Sequence, residues 1–273
     1  MSSSPSKLRP ARTTLNKRLQ QSTTAWFIAT AIGQLAFISF IIAFYYVSIF
    51  TGDFAHWNTK PLIKGYEAGD TSGNAVFAGH VILAAIMTLT GLLQLIPQIR
   101  SKAPHIHRIS GRIFVTLACL LALSGLWLGW VRDTRLSWVS AYAVSLNGIL
   151  ILAFAVPTVW YAVKRKIAIH KRWAIRLFLA ASGVWFLRIF LTAWLIIAGG
   201  PKGMNATMSG PVDMVITYGS YLIPLIIFEI YWRAKVFEKD WLKRVALTLM
   251  VSATLVTMIG IFGSISFLWG PYL

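Results

Sequence analysis

This sequence has few charged residues, and very few acidic ones. Charged residues make up 12% of its 273 positions, with eight Asp and Glu against 26 Lys and Arg, whereas soluble domains carry about a quarter charged residues. The single cysteine, Cys119, excludes an internal disulfide and any site built from cysteine pairs. A Gly-rich phosphate loop and a recognisable Ser-His-Asp set are missing as well. These absences argue against the common soluble enzymes, and they leave open whether the chain is an enzyme at all.

Long apolar runs, in contrast, are abundant. The chain is 57% hydrophobic, with a mean hydropathy of +0.67, and a run of about 20 apolar residues crosses the ~30 Å hydrocarbon core of a bilayer. Spans are predicted at 26–50, 76–98, 108–131, 138–163, 173–198, 213–232 and 245–268. The sequence therefore predicts an all-α integral membrane protein in a lipid bilayer. It would consist of a basic cytoplasmic tail (1–25) and a seven-transmembrane-helix bundle (26–273), with a four-helix core from spans two to five.

The basic residues are distributed unevenly between the two ends of the predicted spans. Twenty of the 26 Lys and Arg residues lie in the segments 1–25, 99–112, 164–176 and 233–244, which seven spans place on one face. The positive-inside rule puts this face and the N-terminus in the cytoplasm and the C-terminus outside, as expected in a bacterial inner membrane. Because the net charge of +18 is divided among loops in this way, it indicates topology and not nucleic-acid binding.

Four polar side chains within the predicted spans are candidates for functional roles: Gln94, Asn147, Arg188 and Glu229. An ionisable residue inside a span costs ~2.5–3.5 kcal/mol on insertion scales, so it usually has a partner or a function. Arg188 lies near the middle of the fifth span, and Asn147, at a similar depth in the fourth, is its predicted partner. Glu229 lies one turn from the inner end of the sixth span, where it is expected to pair with Arg233.

The histidines separate by depth. His80 opens the second span near the outer face, whereas His107 and His170 lie near the inner face, at the starts of the third and fifth spans. Alternate helices of an up-down core are diagonal, so His107 and His170 would face each other at one level. Two opposed axial imidazoles can hold a haem iron, so haem b is an expected cofactor. The basic residues expected to pair with its propionates are Arg100, Arg108, Arg112, Arg172 and Arg176.

His80 has no histidine partner at its depth on the fourth span, where Tyr142 and Asn147 lie. A second bis-histidine haem is therefore not expected, and His80 is a candidate metal ligand, proton carrier or hydrogen-bonded group. Three histidines also suggest a zinc hydrolase, but His80 lies a bilayer away from His107 and His170, which argues against a shared metal. Interfacial histidines that only anchor helices at the headgroups are a further alternative.

A string of motifs resembles a known family. It comprises Gly79-His80, Gly91, Gln94, Pro97, Arg100, His107-Arg108, Gly111-Arg112, His170 to Arg176, Arg188 and Glu229, within residues 76–232. The string resembles the bacterial and fungal family of predicted membrane proteins catalogued as domain of unknown function 2306. That resemblance implies a fold and a topology but no activity. The layout of the histidines is also faintly similar to that of ascorbate-reducible transmembrane proteins with two b-type haems, although the fourth span lacks the histidine that two haems require.

Two functions follow as expectations. The first is a b-type haem-binding electron-transfer protein or oxidoreductase, in which His107 and His170 ligate one haem and a small molecule donates the electrons. The alternative is a non-enzymatic transporter or a binding protein for a lipid or anionic small molecule. In that case the inner arginines would receive the anion, and Arg188 and Glu229 would line its path. An accessory subunit of a larger membrane complex is a third interpretation, and the sequence does not indicate an oligomeric state.

Overall fold

The computed structural model describes residues 8–60 and 65–272, with side chains from Thr14 onward, and all regular structure in these residues is helical. The helices are α1 (Leu8–Ile41), α2 (Val47–Thr51), α3 (Thr71–Leu95), α4 (Pro97–Lys102), α5 (Pro104–Trp130), α6 (Trp138–Val163), α7 (Ile167–Ala181), α8 (Gly183–Ala198), α9 (Pro211–Phe237) and α10 (Asp240–Gly263). A π-helical turn, Ile42–Tyr46, joins α1 to α2, and another, Ser264–Trp269, extends α10. From Leu8 onward the predicted tail is therefore the first part of α1, and residues 1–7 lie outside the described residues.

Six helical segments among the described residues are long and apolar enough to cross a membrane. They are Thr14–Thr51, Thr71–Leu95, Pro104–Trp130, Trp138–Val163, Pro211–Phe237 and Asp240–Tyr272. Helices α7 and α8 make a seventh span when taken together, and they meet at an angle of 55°. The predicted all-α bundle of membrane-spanning helices is confirmed. The fifth predicted span, 173–198, is two helices instead of one.

The bend between α7 and α8 lies at Ser182 and Gly183, a small-residue pair of the kind at which helices kink sharply. The Ser182 hydroxyl accepts a hydrogen bond from Nε2 of Gln34 in α1, at 3.1 Å. Gly183 is needed here because a Cβ atom at this position would lie 2.7 Å from Nδ2 of Asn147 in α6. Hydropathy did not reveal the bend because both halves of the span are apolar.

The helices of the predicted four-helix core pack in chain order: α3 against α5, α5 against α6, and α6 against α7. Two further helices complete the ring, since α10 packs against both α8 and α1, and α1 packs against α3. Small residues allow this closure. A Cβ on Gly260 of α10 would lie 2.3 Å from the carbonyl oxygen of Ile189 in α8, and the Thr192 hydroxyl donates to the Gly260 carbonyl at 2.7 Å. The core thus has α1 as an additional wall.

An ion pair holds the C-terminal end of α5 to the N-terminus of α3. Asp70 caps α3 by accepting from the Gly73 amide at 2.8 Å, and Nε of Arg132 lies 2.8 Å from its second carboxylate oxygen. The Gly73 amide and the Arg132 charge together hold the pKa of Asp70 below its ordinary value. Arg132 also donates to Asn74 at 2.6 Å and to the Gly65 carbonyl at 3.1 Å. This clamp fixes the relative position of α3 and α5.

The cytoplasmic location of the N-terminus stays a prediction from the charge pattern, and a labelling experiment tests it. With Cys119 replaced by Ala, Lys164→Cys and Lys202→Cys place single exposed thiols at opposite ends of the bundle. We expect a membrane-impermeant maleimide to label Lys202→Cys in intact cells and Lys164→Cys only after permeabilisation, because the base-rich loops remain inside. Labelling of Lys164→Cys alone in intact cells would reverse the orientation.

Candidate functional site

One cavity, called here the basic vestibule, has a volume of about 1470 Å³. It lies between the helix ends that carry the base-rich segments. Six of the predicted site residues line it: Gln94, Arg100, His107, Arg108, Arg112 and His170. Lys171, Lys235 and Lys243 add further positive charge, and Glu238 is the acid in the lining. The structure thus brings both inner histidines and three of the five predicted arginines to one cavity.

His170 is held by the helix beside it. Its Nδ1 atom lies 2.9 Å from the carbonyl oxygen of Thr158 in α6. A carbonyl oxygen only accepts hydrogen bonds, so this contact assigns the ring proton to Nδ1 and leaves the Nε2 lone pair without this partner. His170 therefore has the tautomer that a histidine ligand usually adopts.

His107 has the opposite pattern, which Gln94 of α3 imposes. With its amide oriented to satisfy both ends, Gln94 donates from nitrogen to Nδ1 of His107 at 3.1 Å. Its oxygen then accepts from the Ser110 hydroxyl at 2.6 Å and from the Gly111 amide at 3.0 Å. A neutral His107 whose Nδ1 accepts a hydrogen bond carries its proton on Nε2. Gln94 therefore fastens α3 to α5 and fixes the His107 tautomer.

The two histidines consequently differ in their fit to haem. An axial histidine coordinates iron through one ring nitrogen while the other, protonated, donates to a neighbour. His170 meets this requirement, and His107, with its proton on Nε2, does not. In the part of the chain that the structure describes, no three His, Cys, Asp or Glu side chains form a metal-binding group. His80 is therefore not part of such a group. The bis-histidine haem site stays a prediction, and the two histidines differ in the tautomer that each would bring to it.

Glu229 binds two arginines in an ion cluster between α9 and α7. Its carboxylate lies 2.5 Å from Nη2 of Arg172 and 2.7 Å from Nη2 of Arg176, and Nε of Arg176 donates to it at 2.8 Å. The predicted pair with Arg233 is wrong, because two guanidinium groups from the facing helix offer better geometry than one neighbour on the same helix. Arg172 and Arg176 are therefore turned to Glu229 and are absent from the vestibule lining, where the sequence had placed them.

A smaller cavity, called here the core cavity, has a volume of about 360 Å³ and is lined by α1, α3, α5, α6, α7 and α8. His80, Asn147 and Arg188 line it. Nδ1 of His80 lies 2.7 Å from the hydroxyl of Ser124, which in turn donates to the Leu121 carbonyl at 3.2 Å. The partner of His80 is thus a hydroxyl on the third span, and not a group on the fourth.

Arg188 and Asn147 both face the core cavity, but the predicted hydrogen bond between them does not form. Nη1 of Arg188 donates to the carbonyl of Val184, one turn earlier in α8, at 2.9 Å. Its guanidinium carbon lies 5.1 Å from the ring centroid of Phe37 in α1. Asn147 lies instead against Gly183, at the bend between α7 and α8. The two side chains therefore line the same cavity without bonding to each other.

Three polar residues in or near the core were not among those singled out from the sequence. Gln34 lines the core cavity and donates to the Ser182 hydroxyl, and the Ser124 hydroxyl contacts His80. Lys60, from the loop after α2, donates to the Leu268 carbonyl at 2.6 Å and lies over the rings of Phe40 and Tyr272. Burial lowers the pKa of Lys60 to about 8, with a smaller contribution from the Arg188 charge. Gln34, an amide in the middle of an apolar run, was the one signal that the sequence offered.

Comparisons with known proteins identify one family. A model of a family described as predicted membrane protein (DUF2306) matches residues 77–232, which run from α3 to α9 and include both cavities' main walls. No match was found among curated proteins or among solved structures. The match bears out the resemblance seen in the motif string.

Glu229→Gln tests the ion cluster. Loss of the carboxylate leaves Arg172 and Arg176 with a neutral partner, and we expect a loss of about 1–2 kcal/mol of unfolding free energy, discounted because the Glu229 side chain is 27% exposed. Asp133→Asn is the matched control, since its pair with Arg135 is solvated, with Asp133 63% exposed. Thermal unfolding of the purified variants compares them. Equal losses in both variants would contradict a structural role for the cluster.

Proposed function

The chain belongs to the DUF2306 family of predicted membrane proteins, and from that premise we propose that it is a non-enzymatic transport protein for organic anions. The observation that carries the proposal is the basic vestibule joined, through two aromatic side chains, to a core cavity that contains an arginine. In this reading the vestibule collects anions from the cytoplasm and the core cavity lies further along their path.

The charge of the vestibule supports this role. Three arginines and three lysines line it, against Glu238 alone among acids. A cleft lined by one sign of charge, with low-dielectric walls, raises the local concentration of the opposite ion and the rate at which it arrives. The volume of about 1470 Å³ is larger than the 300–1,000 Å³ or so of a closed pocket for one small ligand. The vestibule therefore suits the gathering of anions better than the tight binding of one molecule.

The boundary between the two cavities supports a path. Phe114 of α5 and Phe178 of α7 line both of them, and their ring centroids are 6.4 Å apart. Gly91 of α3 leaves room for the two rings, since a Cβ there would lie 2.9 Å from a ring atom of Phe114 and 3.4 Å from one of Phe178. This partition, called here the aromatic septum, consists of side chains, whose rotation is far easier than a movement of packed helices.

Counterflow in liposomes tests the proposal. p-Toluenesulfonate is a suitable labelled probe because it is always ionised and carries an apolar body. We expect vesicles containing the wild-type protein to accumulate it, and Arg108→Gln with Arg112→Gln to slow accumulation about tenfold and weaken its dependence on salt, because the vestibule field is reduced. Arg135→Gln, outside both cavities, is the matched control and should transport normally. Accumulation no faster than in protein-free vesicles would make the proposal wrong.

Haem b is the second candidate, and the tautomer of His170 is the observation that favours it. A reduced-minus-oxidised visible spectrum of protein purified from haem-replete cells decides between the two. We expect no b-type absorbance, because the Nε2 proton of His107 opposes coordination. A signal that disappears in both His107→Ala and His170→Ala would establish paired ligands and replace transport with electron transfer.

A further inference from the structure

Arg188 is the only charged side chain, histidine apart, among the described residues that line the core cavity. No carboxylate of the described part of the chain pairs with it. The ion pairs formed there join Arg132 to Asp70, Arg135 to Asp133, and both Arg172 and Arg176 to Glu229. A guanidinium inside a bilayer is costly to bury, and one that has no counter-charge in its own protein is more so. Arg188 therefore calls for a counter-ion that the chain does not supply.

Arg188 lines the core cavity and is partly accessible. The residue has intermediate burial, and it belongs to the lining of the core cavity. Its one hydrogen bond, to the Val184 carbonyl, uses Nη1. The remaining N–H groups of the guanidinium, which form a fork suited to a carboxylate, are left without a protein acceptor.

Asn147 offers a second polar group in the same cavity. Its side chain is 8% exposed, and its Oδ1 atom has no hydrogen-bond partner. Its Nδ2 atom lies beside Gly183, where no side-chain acceptor of the described residues receives it. Buried amides normally have their hydrogen bonds satisfied, and an exception needs an explanation. A ligand oxygen near the bend would accept from Nδ2, whereas Oδ1 only accepts hydrogen bonds and is not satisfied by such an oxygen.

Most of the rest of the wall is apolar, and its other polar members are Gln34, Tyr45, His80, Thr88, Thr134 and Ser182. Phe37, Phe77, Phe114 and Trp185 line the cavity together with aliphatic side chains from α3, α5 and α6. The volume of about 360 Å³ lies within the range of roughly 300–1,000 Å³ that holds small organic ligands. One cation, one unsatisfied amide and an aromatic enclosure specify a ligand with a single charged end and an apolar body.

We propose that the core cavity is a binding site for an organic monocarboxylate, with Arg188 pairing with the carboxylate, Asn147 donating to one of its oxygens, and the aromatic walls enclosing its body. This inference rests on the proposed transport of organic anions and names the class of substrate. The proposal specifies a monoanion because Arg188 is the one Lys or Arg among the described residues that line the cavity. Lys60, whose charge also reaches Arg188, is directed to the Leu268 carbonyl and does not line it.

Thermal unfolding of the full-length protein in zwitterionic lipid nanodiscs tests the site with three probes: p-toluate, its neutral analogue p-toluamide, and inorganic phosphate. We expect p-toluate alone to raise the unfolding temperature with increasing concentration. Arg188→Met should weaken p-toluate binding at least about tenfold, the value of a hydrogen bond to a charged group. Arg188→Lys, which keeps the charge and loses the fork, should weaken it less. Arg135→Gln is the control for loss of an arginine elsewhere.

The ligand-free variant gives a readout that a structural role would not. If Arg188 waits for a ligand, Arg188→Met removes an unpaired buried charge, and without p-toluate it should unfold at or above the wild-type temperature. If Arg188 instead stabilises the fold through its contacts with Phe37 and Val184, the variant should unfold well below the wild-type temperature. This result would overturn the proposal. Equal stabilisation of the wild type by p-toluate and p-toluamide, or by phosphate, would overturn it as well, whether or not any variant folds.

The counterflow assay separates this inference from the proposed function. Transport that depends on Arg108 and Arg112 but is unchanged in Arg188→Met would leave the function standing and refute the core site. Stabilisation by p-toluate that depends on Arg188, in a protein that transports nothing, would establish the core site and refute transport.

Discussion

Positive charge in apolar surroundings is the constraint on which the rest of this structure depends. Each guanidinium removed from water requires a partner, and the chain has only eight acidic residues. Glu229 serves two arginines at once and thereby fastens α7 to α9. Because Arg172 and Arg176 are engaged there, the arginines that remain at the vestibule lie in a cavity with little negative charge. No acid among the described residues pairs with Arg188, and in the site proposed above an organic anion from outside the chain takes that place.

The bend in the fifth span and Arg188 both border the core cavity. Irregular backbone within a membrane occurs where it lines a cavity, and broken helices in transporters mark binding sites. Here the break at Ser182 and Gly183 brings Gln34, Ser182 and Asn147 together at one wall of the core cavity. In a straight helix, Arg188 would point in a different direction relative to this wall, because α8 would lack its 55° bend from α7. The cavity, the polar groups at its wall and the direction of α8 therefore share one local cause.

Depth along the membrane was predictable from this sequence, whereas side-chain partners were not. Loop positions set the depth of a residue near a helix end, which is why His107 and His170 were expected at one end and line one cavity there. Partnership depends on helix rotation and on which helices touch, and hydropathy contains neither. Glu229 was therefore assigned a neighbour on its own helix instead of two on the facing one, and no partner could be named for His80, which contacts Ser124 of the third span. The contribution of α1 was missed because nothing local distinguishes a wall helix from a flanking one.

The two cavities differ in the number of cations that line them, and in the proposed function they therefore differ in how selectively they bind anions. The vestibule has many cations on long, adaptable side chains, so it attracts anions strongly and discriminates little between them. The core cavity has one rigid guanidinium in aromatic walls, so it favours a molecule whose charge and apolar body both fit. Phe114 and Phe178 stand between them as the only partition among the described side chains that belongs to both linings. In the proposed function, an anion drawn into the vestibule by unspecific attraction must therefore displace these two rings before it reaches Arg188, the group that distinguishes one anion from another.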